Sequence, residues 1–196
     1  MEGDGKESRM YVGLRSVSES VKARSYVKGL NEFIKGAWPG IQTELVDTFK
    51  IAYNIMEKGN KVLFVDGDIR TDVFLGKYKL GKSAKGVLDY IKRPEKNEEI
   101  VCVTNHKNLS LIFTGINEDG VVTDDEIMIF KSLIDKYSKE YDYIVVDSDE
   151  DGTLAAFCGY AAIIAEKETY DEDELNNRVI QLEDKECNVL GVIIRE

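Results

Sequence analysis

The chain carries its apolar residues in two rhythms. Val62-Leu63-Phe64-Val65, Tyr143-Ile144-Val145-Val146 and Val189-Leu190-Gly191-Val192-Ile193-Ile194 are nearly unbroken apolar runs, the signature of strands covered on both faces of a parallel sheet. They predict strands over 61–66, 143–147 and 189–194, with shorter ones over 100–103, 109–113 and 161–165 and a brief apolar run at 33–37. Between them the spacing turns helical. Leu14, Val17, Val21 and Leu30, with Val27 nearby, predict an amphipathic helix over 13–29 closed by Gly29. Leu45, Phe49, Ala52 or Tyr53, and Met56 predict another from Thr43, stopped at Gly59. Further helices are expected over 83–91, ended before Pro94, over 124–140, opened by Asp124-Asp125-Glu126, and over 171–186. This alternation predicts an α/β fold: a doubly wound, mostly parallel sheet with right-handed crossovers and helices on both faces. In such a sheet, ligands sit beyond the carboxyl ends of the strands.

Chemistry-bearing residues fall at those ends. The first strand runs into Asp66-Gly67-Asp68-Ile69-Arg70 and a later one ends at Asp147, a pattern that serves a nucleotide phosphate and its magnesium. A phosphate cradle also needs inward backbone N–H groups, a helix N-terminus, a lysine on the outer phosphates and a hydroxyl for the metal. Upstream, the loop reads Gly36-Ala37-Trp38-Pro39-Gly40-Ile41-Gln42-Thr43-Glu44-Leu45 and carries no such lysine.

These motifs resemble the deviant Walker ATPases of the MinD/ParA class, and most closely the bacterial tyrosine kinases of capsule and exopolysaccharide export systems. The resemblance extends from Glu19 onward and implies a P-loop NTPase-like fold. In those kinases an apolar strand ends in Asp-x-Asp-x-Arg, matched by Asp66, Asp68 and Arg70, which would make Asp66 and Asp68 the ancestral catalytic carboxylates. A second strand ends in Asp-x-Pro, matched at Asp147, the ancestral magnesium position, with Asp149 in place of the proline. The phosphate loop departs from the family's Pro-Gly-Glu-Gly-Lys-Ser-Thr. Laid on Pro39 and Gly40, it puts Gln42 at the second glycine, Thr43 at the lysine and Glu44 at the metal-binding serine. One unit-charge contact at about 4 Å is worth roughly 4 kcal/mol at an effective dielectric near 20. Exchanging the lysine for Thr43 and adding Glu44 is therefore expected to weaken triphosphate binding on the order of a thousandfold. The family's Glu-x-x-Arg-x-x-Arg oligomerisation motif is reduced to Glu19-x-x-Lys22-x-x-Ser25.

Composition narrows the classes. With 196 residues, 43% hydrophobic and 32% charged, the chain reads as a polar leader, 1–12, and one domain, 13–196. A net charge of −11 excludes a general nucleic-acid binder. No apolar run approaches the roughly 18 residues that would insert directly into a membrane. Three widely spaced cysteines fit a reducing compartment, so the expected location is cytoplasmic, with recruitment to the inner face of the membrane as a further option. The cysteines are expected to pack as small core residues, His106 to sit in a surface loop, and the Asp147-Ser148-Asp149-Glu150-Asp151 run to form a solvated loop rather than a cation site.

The leading expectation is a catalytically impaired kinase-like module, needing no cofactor and working through protein partners. The resemblance implies a membrane adaptor or polysaccharide export component, and leaves homo-oligomers open. Two rivals stand beside it: an active ATP-dependent tyrosine kinase or ATPase with a non-standard loop, binding ATP and magnesium if the pocket is retained, and a MinD-like nucleotide-binding localisation factor.

Overall fold

The computed structural model describes residues 11–16, 47–67, 85–96, 100–115, 123–148, 152–166 and 171–195. Its strands are β1 (Tyr11–Ser16), β2 (Val62–Asp66), β3 (Val101–Val103), β4 (Leu109–Ile112), β5 (Tyr143–Asp147), β6 (Tyr160–Glu166) and β7 (Asn188–Arg195). Its helices are α1 (Asp47–Glu57), α2 (Val87–Lys92), α3 (Asp124–Tyr137), α4 (Thr153–Phe157) and α5 (Glu172–Asp184). The strands form one sheet in the order β3-β4-β2-β5-β1-β6-β7. β2 runs parallel to β4 and β5, and β6 parallel to β7, whereas β3 is antiparallel to β4.

Alternation along the strands sorts their side chains onto two covered faces. Val62, Phe64, Tyr143 and Val145 pack with Ile51, Ala52, Ile55 and Met56 of α1. Leu63, Val65, Ile144 and Val146 pack on the other face against Leu88 of α2, Phe130, Leu133 and Ile134 of α3 and Leu154 of α4. Leu175 and Leu182 of α5 cover Ala161, Ile163 and Ala165 of β6 on that second face. Burial on both faces is why these strands read as unbroken apolar runs.

The helix ends follow local rules. Thr123 and Glu126 cap α3 reciprocally: Glu126 N–H donates to Thr123 Oγ1 at 3.3 Å, and Thr123 N–H to Glu126 Oε2 at 2.8 Å. Asp171 caps α5 by accepting from Glu174 N–H at 2.9 Å. Gly59, at φ 89°, ends α1 as its glycine predicted. The helix expected over 83–91 is seen from Val87, because Gly86 is extended and bridges to Phe113 beside β4.

The largest departure is β1. Residues 13–16, expected to begin a helix, are strand, as are Tyr11 and Val12, expected in the leader; residues 17–29 lie outside the described residues. β1 sits between β5 and β6 and is antiparallel to both, pairing Val12 with Asp147 and Tyr11 with Ile163. Gly13 permits this placement. A Cβ there would stand 2.7 Å from Cys158 Sγ and 2.9 Å from the Ala155 backbone.

Candidate functional site

β2 and β5 end side by side, with Asp66 and Asp147 in register. Residues paired across neighbouring strands project from the same face, and Asp66 continues the alternation of Val62 and Phe64 just as Asp147 continues that of Tyr143 and Val145. Both carboxylates therefore belong to the face covered by α1, at the carboxyl edge of the sheet. Both are buried, at 1% and 0% exposure.

The first turn of α1 completes the cluster: Thr48, itself buried, donates from Oγ1 to Asp147 Oδ1 at 2.8 Å. Thr114, just past β4, donates from Oγ1 to the backbone oxygen of Asp66 at 3.2 Å. Gly67 N–H donates to the Asp147 carbonyl at 2.9 Å, and a Cβ on Gly67 would stand 2.7 Å from that oxygen, so the two strand ends meet there only because residue 67 has no side chain. Ser148 Oγ accepts from Ala155 N–H at 2.9 Å and anchors the chain leaving β5 to α4. Thr48, Asp66, Thr114, Asp147 and Ser148 account for all the buried polar residues described except Asn54. Polar groups are costly to bury, and here they are concentrated at one sheet edge.

Two adjacent buried carboxylates require hydrogen bonds and positive charge around them. Oxygen donors from Asp66, Asp147 and Thr48 suit a hard cation, and magnesium commonly takes one or two carboxylates and completes its shell with phosphate and water. The residues present fit that ion in this limited sense. Among the described residues no cluster of three or more His, Cys, Asp or Glu could hold a metal by itself.

The structure thus brings Asp66 and Asp147 together. Asp68, Arg70, Pro39, Gly40, Gln42, Thr43 and Glu44 lie outside the described residues. The expectation of a solvated loop from Asp147 is corrected at its first two positions: Asp147 ends a central strand and Ser148 is buried beside α4. Cys158 and Cys187 are buried as expected, but Cys102 is exposed because it lies on the edge strand β3. His106 is half-buried, edge-on to the Tyr53 ring with centroids 5.1 Å apart, in the loop leading into β4. That loop is at the opposite end of the strand from the carboxylates.

Thr48 belongs to no motif of the sequence. It shares a helical stripe with Ile51, Ala52 and Ile55, at spacings of three, four and seven residues. A hydroxyl in the first turn of such a buried stripe must meet a polar partner at the edge of the core, and that is the usable signal.

No protein-family model matches the chain. In sequence it is 28% identical over 120 residues to the tyrosine-protein kinase CpsD of Streptococcus pneumoniae serotype 4, covering 61% of this chain and 51% of that protein. It is 22% identical over 152 residues to CpsD of Streptococcus agalactiae, covering 74% of this chain and 66% of the relative. The chain therefore spans between half and two thirds of the curated relatives it matches. Among solved structures it is similar to the VpsO kinase domain, with a TM-score of 0.65, 14% identity and coverage of 90% of this chain and 95% of the other. The kinase domain of the Escherichia coli tyrosine kinase ETK superposes with a TM-score of 0.62 at 18% identity, over 76% of this chain and 61% of the other. A plasmid partition protein from Borrelia burgdorferi follows at 0.55 and 15%, over 92% and 74%. With its carboxylate-tipped parallel strands, the chain is similar in sequence to bacterial tyrosine kinases and shares the P-loop NTPase-like α/β fold of the solved kinase domains.

Proposed function

We propose that this chain is a catalytically impaired, kinase-like module of a capsular or exopolysaccharide system that acts by binding other proteins. The observation that carries this reading is a contrast within one site. The carboxylate pair Asp66 and Asp147 is assembled and buried, while the segment leading to α1 has Gln42, Thr43 and Glu44 where the kinases it resembles have glycine, lysine and serine. Without the lysine, and with Glu44 added, the approach to the site repels the phosphates that a kinase must hold. A membrane adaptor of the polysaccharide apparatus is the partner class the relationship supports. No described helix is long and apolar enough to cross a membrane.

Single-turnover assays with labelled ATP test this directly. The expected result is neither hydrolysis nor tyrosine phosphorylation above the level of the Asp66→Ala variant; turnover that depends on Asp66 would overturn the reading.

One observation favours a second reading, a working ATPase or kinase. Thr48 places a hydroxyl against Asp147 at 2.8 Å, so Asp147 and Thr48 would hold magnesium and the ion would neutralise phosphate charge there. In that case a lysine or arginine from a neighbouring subunit would replace the lost one, and activity would rise steeply with protein concentration.

A further inference from the structure

β7 closes the sheet on one side, and among the described residues its one strand neighbour is β6. The inner strands β2 and β5 are buried along their whole length. Val189, Leu190, Val192 and Ile194 of β7 are only half-buried, although core side chains pack against both faces of the strand. Their exposure is therefore lateral, on the outer side of β7. A strand edge offers its N–H and C=O groups to any chain that runs beside it, and proteins blunt such edges by shortness, proline, lysine or a bulge. The opposite edge strand, β3, is three residues long. β7 has eight and carries neither proline nor lysine. Its register shift comes early, between the pairs Ala161–Val189 and Ala162–Gly191, and from Gly191 to Arg195 the strand runs in unbroken register with β6.

The two faces beside this edge say what fits it. On one, Ile193 is buried and Leu190 packs with the same apolar core. On the other lies α5, whose outer surface is acidic: residues 171–187 hold seven acidic side chains against two basic ones. All seven acids are exposed, while Arg178 is bound to Glu174 at 2.6 Å and Lys185 donates to Thr153 Oγ1 at 3.0 Å. We propose that β7 is the docking edge for an extended segment of a partner protein, apolar at alternate positions with Lys or Arg between them. Its backbone extends the sheet beside Gly191–Arg195. Alternation then sends its apolar side chains to the face of Leu190 and Ile193, and its cations to the face of α5. A second copy of this chain fits less well, because it would set another acidic α5 beside the first, and like charges oppose such pairing. The inference rests on the reading of a protein-binding module and names its docking edge and partner chemistry. Lys and Arg gather in the cytoplasmic stretches that flank a membrane span, so in a membrane adaptor the fitting element is such a stretch.

The test is calorimetric titration of the full chain with the end-blocked peptide Lys-Val-Lys-Val-Arg-Val-Lys. Two control peptides of the same sequence are N-methylated, one at the valines and the other at the basic residues. Successive amides of a strand point to opposite sides, so one control turns a blocked edge to β7. At least one control is expected to bind about tenfold or more weakly than the parent, as the loss of two or three hydrogen bonds requires. Equal binding by all three would mean attraction by charge alone and would overturn the proposal. Glu183→Lys/Asp184→Lys, at exposed positions, should weaken the parent peptide by roughly fivefold or more; an unchanged affinity would overturn it as well. Hydrogen exchange at 191–195 should slow when the peptide binds. Sedimentation of the chain alone supplies the remaining outcome: a dimer that Ile194→Lys dissociates would overturn the proposal in favour of a second copy on this edge. No ATP is present, so peptide failure leaves the impaired-kinase reading standing, and turnover in the kinase assay leaves this edge standing.

Discussion

Thr48 and Asp147, 99 residues apart in sequence, are joined by a 2.8 Å hydrogen bond that ties the first turn of α1 to the end of β5. Both partners are buried and the acceptor is a carboxylate, the setting in which one hydrogen bond matters most. Thr48→Val keeps the shape and removes the donor, leaving the carboxylate undersatisfied. It should cost about 1–3 kcal/mol, read as a lower urea midpoint at unchanged slope. Thr48→Ser, which keeps the hydroxyl, should recover most of the loss.

Nucleotide binding, if it survives, should be visible as stabilisation. A ligand at a hundred times its dissociation constant adds about 2.7 kcal/mol, which for a chain of this size corresponds to a rise in Tm of roughly 5–10 °C. The impaired-site reading predicts no rise with millimolar ATP and magnesium. A clear shift, lost on Asp66→Asn, would show that the pocket still works.

The placement of β1 can be checked at one atom. Gly13→Ala would put a methyl group 2.7 Å from Cys158 Sγ and 2.9 Å from the Ala155 Cα, and the latter, being backbone, cannot swing aside. The substitution should destabilise by about 1–3 kcal/mol, with partial relief from Cys158→Ala. A neutral Gly13→Ala, measured by chemical denaturation, would mean that the strand does not lie against α4.

Burial separates the thiols. Burial pushes the Cys187 thiol up to about 11, with Lys185 pulling in the other direction; burial also raises Cys102, which is nonetheless exposed on the edge strand. For Cys187 the raised value means that the folded state holds its proton more tightly than the unfolded state, whose thiol titrates near 9.0. Its contribution to stability is complete below pH 9 and is lost as the pH rises through about 11. Cys187→Ala should therefore flatten the stability profile across that window. Iodoacetamide in native buffer should modify Cys102 first, read by peptide mass.

Much of this architecture is legible in the sequence because the buried strands leave no room for polar residues. β5 was expected over 143–147 and lies there, and the carboxylates of Asp66 and Asp147 mark their strand ends by interrupting apolar runs. β1 was not legible, because Leu14 and Val17 satisfy a helical period as readily as Leu14 satisfies a strand, and only Gly13 hints at close packing. Thr48 is illegible for a different reason. The motif places its hydroxyl at position 44, which is Glu44 here, whereas the bond to Asp147 is made by Thr48, on the stripe that α1 buries. The helix α4 is only five residues long, too short to show any period at all.

The central position of β1 also bears on how this protein is made. Residues 11–16 are synthesised before the other described strands, yet their ladder partners in β5 and β6 follow more than a hundred residues later. At about 5–20 residues per second the nascent strand waits on the order of ten seconds or more for its neighbours. Pairings this distant in sequence also close slowly once available. The sheet cannot be completed from the front of the chain, so the growing polypeptide should remain protease-sensitive and dependent on chaperones until β6 has emerged, and its folding should respond to translation speed along that whole interval.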